Sequence, residues 1–196
     1  MKLVHVSLEG RFVRLEPFRD ALKEEVRAAV DCDAGTWAIM PVTAMGEAFE
    51  GWWQESLAAP ATESLPYAIR RLADGRVVGV SSYLTGLAAQ DAVEIGSTFL
   101  HPEARGGAVN PEAKLLMMQH AFASGAVRVQ LKVDSRNQRS QAAVTKLGAV
   151  REGVLRHDRR TWTGYIRNTV YFSVLAAEWA AVRAGLELRL AALGCI

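Results

Sequence analysis

The segment HPEARGGAVNPEAKLLMMQHAF, residues 101–122, decides the reading of the chain. An arginine and two glycines stand before an asparagine and a proline, and a long apolar-periodic run follows. The spacing predicts a helix that begins near Pro111. Its first turn carries free backbone N–H groups and the positive end of the helix dipole. Proline suits a first turn. Gly106 and Gly107 let the preceding backbone curl towards a ligand, and Arg105 adds a charge. These parts make a local cradle for an anion such as a phosphate or pyrophosphate. By itself the pair of glycines is equally a tight turn. A P-loop (GxxxxGK[ST]) and a GxGxxG fingerprint after a first strand are both lacking.

Working outward, the period on either side is that of strands. Ala92–Leu100 and Val127–Val133 read as strands that flank the helix. With them it forms one strand–helix–strand crossover. Tyr67–Leu72 and Arg76–Leu84 form a hairpin about Asp74-Gly75. Ala149–Arg156 and Asn168–Leu175 form another about Thr163-Gly164. Residues 11–15 (RFVRL) alternate as a short strand. Asp20 is placed to cap a helix over Ala21–Val30. Thr43 and Glu47 suit a capping box before a helix from Ala44 to Leu57, and 33–43 reads as loop. A helix over Asn137–Leu147 stops at Gly148, and a last helix covers Ala177–Ala191. The fold class is α/β, a mixed and mostly antiparallel sheet with flanking helices. All 196 residues read as a single domain.

Composition narrows the function. Hydrophobic residues make up 50% and charged residues 22% of the chain. Lys plus Arg number 23 against 21 Asp plus Glu, a net charge of +2. That balance gives no broad electrostatic case for nucleic acid or membrane partners. The N-terminus has no signal-peptide pattern, and no apolar run approaches a membrane span. Cys32 and Cys195 form no metal-ligand spacing, and Cys195 is expected to be exposed. His101, His120 and His157 lack spaced partners. No metal is expected, and a reducing, cytoplasmic setting fits.

The order VEIGSTFL, RGGAVN, Asn137-x-x-Ser140…Lys146-Leu147-Gly148, EGVLR (152–156) and NTVYFSVLAAEW resembles the GNAT superfamily of acyl-CoA-dependent N-acetyltransferases. Within it the chain is most similar to the ribosomal-protein N-acetyltransferase-like branch. The resemblance implies a sheet with a splayed strand pair. It implies acetyl-CoA as co-substrate, and a small-molecule or peptide amine as acceptor. The family's pyrophosphate loop, [QR]xxGx[GA], falls on Arg105, Gly106, Gly107, Ala108, Val109 and Asn110. The pattern departs at Ala108, where the family has glycine, and at Asn110, where it has glycine or alanine although this branch accepts asparagine. A negative φ at Ala108 makes alanine harmless; a positive one costs about 1 kcal/mol.

The resemblance also assigns roles. Phe99 and Leu100 lie beside the pantetheine arm, which completes the sheet. Asn137 faces the cofactor, a role compatible with capping a helix. Ser140 takes the place near the departing thiolate, because the tyrosine common in the family is here Val144. Arg139 and Arg136 are in reach of the ribose phosphate, or form a solvated patch. Glu94 is the candidate base; strict alternation puts it on a face with Gly96 and Thr98, away from residues 93, 95, 97 and 99. Trp37, Trp52 and Trp53 are candidate walls of the acceptor site. Trp179, Val182, Leu186 and Leu190 form a stripe that serves either the domain's own core or a homodimer. The missing tyrosine and Ala108 motivate the alternative, a non-catalytic acyl-CoA-binding module.

Overall fold

A computed structural model describes residues 1–193; Cys195 lies outside the described residues. The elements run β1 (Leu8–Glu9), β2 (Val13–Pro17), α1 (Lys23–Val30), α2 (Ala34–Trp37), α3 (Ala48–Ala58), β3 (Ser64–Arg71), β4 (Val77–Leu84), β5 (Ala92–Leu100), α4 (Val109–Ala123), β6 (Arg128–Asp134), α5 (Gln138–Lys146), β7 (Val150–Arg160), β8 (Ile166–Leu175) and α6 (Trp179–Leu193). The strands form one sheet in the order β1-β2-β3-β4-β5-β6-β8-β7. Among the described strands only β5 and β6 pair in parallel, the consequence of the α4 crossover. The mostly antiparallel mixed sheet expected from the sequence is present.

Two apolar clusters cover the two faces. One joins Val93, Ile95, Val129, Leu131, Val133, Val170 and Phe172 to α4, α5 and α6. The other joins Ala68, Val80 and Phe99 to α1, α2 and α3 through Val26, Val30, Trp37, Phe49 and Trp53. The α6 stripe lies on the first cluster: Leu186 and Leu190 are buried there, and Trp179 and Val182 pack against it. The chain's own core therefore occupies the stripe.

Several local expectations shift. Asp20 lies in a single turn ahead of α1 and caps nothing. The capping box at Thr43 and Glu47 does not form. Gly46 adopts φ +56 and gives its N–H to Asp31 Oδ1 at 2.8 Å, so the helix starts only at Ala48. The 33–43 loop contains the one-turn α2, capped by Asp33. α4 begins two residues ahead of Pro111. Asn137 caps α5 as expected, accepting from the Ser140 N–H at 2.9 Å.

The alternation in β5 breaks. Val80 pairs with Phe99 and Ser82 with Gly96, so Ser81 faces two residues, Ser97 and Thr98. This is a β-bulge, and Ser97 takes φ +48. The extra residue reverses the strand's faces. Val93 and Ile95 point to α4, but Phe99 points to α1 and α2. Thr98 points to α4, where it meets Lys114. Glu94 thus shares a face with Phe99 and not with Thr98, contrary to strict alternation.

α4 is fixed to the sheet by two buried charged residues, each 4% exposed. The Glu112 carboxylate accepts the backbone N–H groups of Arg11, Phe12 and Val13 at 2.8, 2.6 and 2.7 Å. A Cβ on Gly10 would lie 2.5 Å from Glu112 Cδ, so the β1–β2 turn closes on the carboxylate only through glycine. Lys114 Nζ donates to Ser81 Oγ at 2.9 Å and to Thr98 Oγ1 at 2.6 Å. No carboxylate lies within ion-pair distance of it among the described residues. Burial pulls its pKa down to about 7.

Glu112→Ala leaves three N–H groups without acceptors and should cost on the order of 3 kcal/mol in urea denaturation. Lys114 makes a pH-dependent contribution. Between pH 7 and the ordinary lysine value of 10.5 the unfolded chain binds the extra proton, so stability rises with pH across that window. The unfolding midpoint of the unsubstituted protein, relative to Lys114→Met, should rise over the same interval. A constant difference would show that Lys114 stays ionised in the fold.

Candidate functional site

β5 and β6 pair only at Ala92–Glu94 with Arg128–Gln130. Beyond these residues β6 stays paired to β8 as far as Asp134, and β5 stays paired to β4 as far as Leu100. The facing edges of the two strands separate, and a cavity of about 420 Å³ opens at the split. Glu94, Phe99, Leu100, Arg105, Gly106, Asn110, Asn137, Arg139 and Ser140 all line it. Gly107, Ala108 and Val109 instead line a second cavity on the other side of the loop.

The loop presents a row of unbonded backbone donors, the cradle expected from the sequence. The N–H groups of Gly106, Gly107, Ala108, Val109 and Asn110 have no partner among the described residues. Gly106 turns the chain with φ +84, and Ala108 sits at φ −75, where its methyl is unstrained. The departure from glycine at this place therefore carries no backbone penalty. Arg105 is not aimed at the cradle by all its donors. Its Nε bonds Leu100 O at 2.9 Å and one terminal nitrogen pairs with Asp33 Oδ2 at 2.6 Å. The other terminal nitrogen is buried without a partner. The Thr36 hydroxyl and then Arg105 hold the Asp33 carboxyl down at about 2.

At the other end of the cavity stand the α5 residues. Asn137 uses its side-chain oxygen as a cap. Its amide nitrogen, and the Ser140 hydroxyl, make no hydrogen bond among the described residues and are available to a ligand. Val144, at the place of the family tyrosine, is buried in the core behind them. Arg139 reaches across the mouth to Thr36 Oγ1 at 3.0 Å. Arg136 stays with Asp134, at 2.8 Å, and stacks on Tyr165.

Glu94 is buried on the α1 face of the sheet. Its Oε2 pairs with Lys132 Nζ at 2.8 Å and accepts from Gln130 Nε2 at 3.3 Å. A Cβ on Gly96 would come within 3.0 Å of Oε1, so the glycine leaves that oxygen open. Trp37 and Trp52 wall this part of the cavity, whereas Trp53 is core. Trp37 stacks on Phe99 with 4.7 Å between ring centroids. The Trp162 indole, on the β7–β8 turn, donates to Trp37 O at 2.9 Å and ties that turn to α2.

Sequence reasoning missed Lys114, Lys132 and Arg167, which also line the cavity. A signal existed for Lys132: alternation in RVQLKVD puts Gln130, Lys132 and Asp134 together on the face opposite Leu131 and Val133. Lys114 announces itself only as a charge within an apolar helical stripe. No group of three or more His, Cys, Asp and Glu side chains is placed as metal ligands among the described residues, and no described helix is long and apolar enough to cross a membrane.

Comparison with known proteins agrees with this geometry. The model of the GNAT acetyltransferase domain matches residues 13–150. A T. thermophilus protein classed as an acetyltransferase is 38% identical, with TM-score 0.86 and 97% of this chain and 100% of that one covered. A GCN5-related N-acetyltransferase from Brucella melitensis is 28% identical, with TM-score 0.88 and coverage of 95% and 86%. RimJ of Mycobacterium smegmatis, solved with CoA-disulfide, shares the fold at 22% identity, TM-score 0.75 and coverage of 93% and 89%. No curated relative matches the sequence. The chain belongs to the GNAT acetyltransferase family and is an acetyl-CoA-dependent N-acetyltransferase.

Proposed function

We propose that the protein transfers the acetyl group directly to a primary amine, on a small molecule or a protein N-terminus, and that its branch is the ribosomal-protein N-acetyltransferase-like one. The observation that carries the direct mechanism is the placement of one cavity across the split. The residues assigned to the acyl donor lie along one side and the Glu94 carboxylate on the other, with no cysteine among the lining residues.

The five free N–H groups from Gly106 to Asn110 suit the pyrophosphate. The open edges of β5 and β6, at Phe99 and Leu100, suit the amides of the pantetheine arm, as an added strand would. The Asn137 amide faces the same path. These residues orient the thioester; the chemistry needs only a base, a carbonyl polariser and an exit for the thiolate.

In the reaction the amine nitrogen forms a bond to the thioester carbonyl carbon, and the carbon–sulfur bond breaks. The ammonium proton passes to Glu94 Oε1, directly or through water. Lys132 holds the other carboxylate oxygen and orients the group. The thiolate leaves towards Ser140, whose hydroxyl has no competing partner among the described residues, and takes up the second proton that the nitrogen sheds as the amide forms. A backbone N–H near Leu100 polarises the carbonyl. The alternative of a non-catalytic binder loses one motive, since Ala108 sits at φ −75. A cytoplasmic location is part of the same reading, supported by the two-cysteine composition.

Calorimetric titration should show micromolar, selective binding of acetyl-CoA, with NADH and ATP as controls. Glu94→Gln should keep that affinity and lower kcat by about 100-fold or more in a thiol-release assay. Unchanged turnover in Glu94→Gln would assign the base to water alone. Binding without turnover on any amine would favour the non-catalytic reading.

A further inference from the structure

Arg167 lines this cavity with a charge that the reaction outlined above does not use and that no carboxylate takes among the described residues. It stands at the start of β8 and is only 5% exposed. Its Nε donates to Thr169 Oγ1 at 2.8 Å. Its two terminal nitrogens make no hydrogen bond among the described residues, and they are not sealed in the core either. They open on the cavity. A guanidinium is expensive to bury without an acceptor for its fork.

The neighbouring carboxylates are already engaged. Asp134, Asp158 and Glu94 all bear on Arg167 through space. Each holds its own cation, however: Arg136 at 2.8 Å, Arg159 at 3.3 Å and Lys132 at 2.8 Å. Around the cavity basic side chains outnumber acidic ones.

Position decides what the fork is for. Along β8, Val170 and Phe172 face α4 and α6. Arg167, Thr169 and Tyr171 therefore face the opposite side, with Lys132 and Glu94; Lys132 Nζ lies 5.2 Å from the Tyr171 ring centroid. This is the α1 side of the sheet, away from the N–H cradle at the start of α4. An anion bound to Arg167 therefore belongs to the acceptor and not to the pyrophosphate.

Resting on the acetyltransferase reading, we propose that the acceptor is a small amine bearing a carboxylate, such as an α-amino acid, and that Arg167 receives that carboxylate bidentately. Ile39, Met40, Val42 and Trp52 line the same cavity and give an apolar side chain somewhere to lie. Arg167 then sets specificity as well as position, because an amine without the carboxylate leaves the guanidinium unpaired. The charge also selects against polyamines, which the basic lining repels.

The test compares matched acceptors in the thiol-release assay with acetyl-CoA: apolar α-amino acids, their amides, and the corresponding decarboxylated amines. The unsubstituted enzyme should favour the acids by about 100-fold or more in kcat/KM. Arg167→Met should abolish that preference by raising KM for the acids. Arg167→Lys should restore part of it, since one charge remains without the fork. Acetyl-CoA affinity and the unfolding temperature, measured on the same samples, should change little. Equal or better turnover of the decarboxylated amines by the unsubstituted enzyme would overturn the proposal. So would an equal loss on acids and amines in Arg167→Met, which is the mark of a structural role. Absence of both acetyl-CoA binding and transfer would overturn the acetyltransferase reading itself, and this inference with it.

Discussion

The molecule is organised around the parting of two parallel strands. β5 and β6 share three residue pairs and then diverge. Backbone N–H and C=O groups inside a sheet are costly to leave unpaired, so the split persists only because both strands are held from elsewhere. β6 remains paired to β8 along its whole length. β5 is deflected by the bulge at Ser97 and pinned on both faces. On one face Thr98 and Ser81 receive Lys114; on the other Phe99 stacks on Trp37. The open edges leave backbone donors and acceptors of the kind that the proposed pantetheine path would use.

The same bulge divides the labour between the faces. On the α4 side lie the anion cradle, the α5 cap and the unbonded Ser140 hydroxyl. On the α1 side lie Glu94, Lys132, Arg167 and the aromatic wall. Under the proposed function, a donor and an acceptor approaching from opposite faces would meet at the split, with no covalent relay. The price of this arrangement is a set of buried charges. Most are satisfied within the fold, as Glu112 is by three N–H groups. Arg167 retains two terminal nitrogens without partners among the described residues, as expected of a group that awaits a ligand.

Much of this is legible in the sequence. The Arg105–Asn110 loop, its helix and the flanking strands follow from glycine placement and periodicity, and the roles expected of Asn137 and Ser140 from the resemblance to the GNAT family. What is hidden has physical causes. The Ser97 bulge adds one residue to an otherwise regular strand; the adjacent Gly96 hints at it, but the left-handed conformation itself is taken by serine. Side-chain alternation then points the wrong way after Ile95. The capping box fails because of the Asp31–Gly46 contact, a tertiary interaction that overrides local propensity. Arg105 reads as a free charge, but Asp33 claims part of it across a loop of distant sequence. Lys114 and Arg167 gain meaning only when burial is known, since a lone basic residue in a helix or strand is ordinarily solvated.

The most direct test of the split-sheet account is backbone hydrogen exchange with and without acetyl-CoA. New protection is expected only at 95–100, 105–112 and 131–134, the two open edges and the N–H cradle. Protection elsewhere, with these three segments unchanged while acetyl-CoA is bound, would contradict that account.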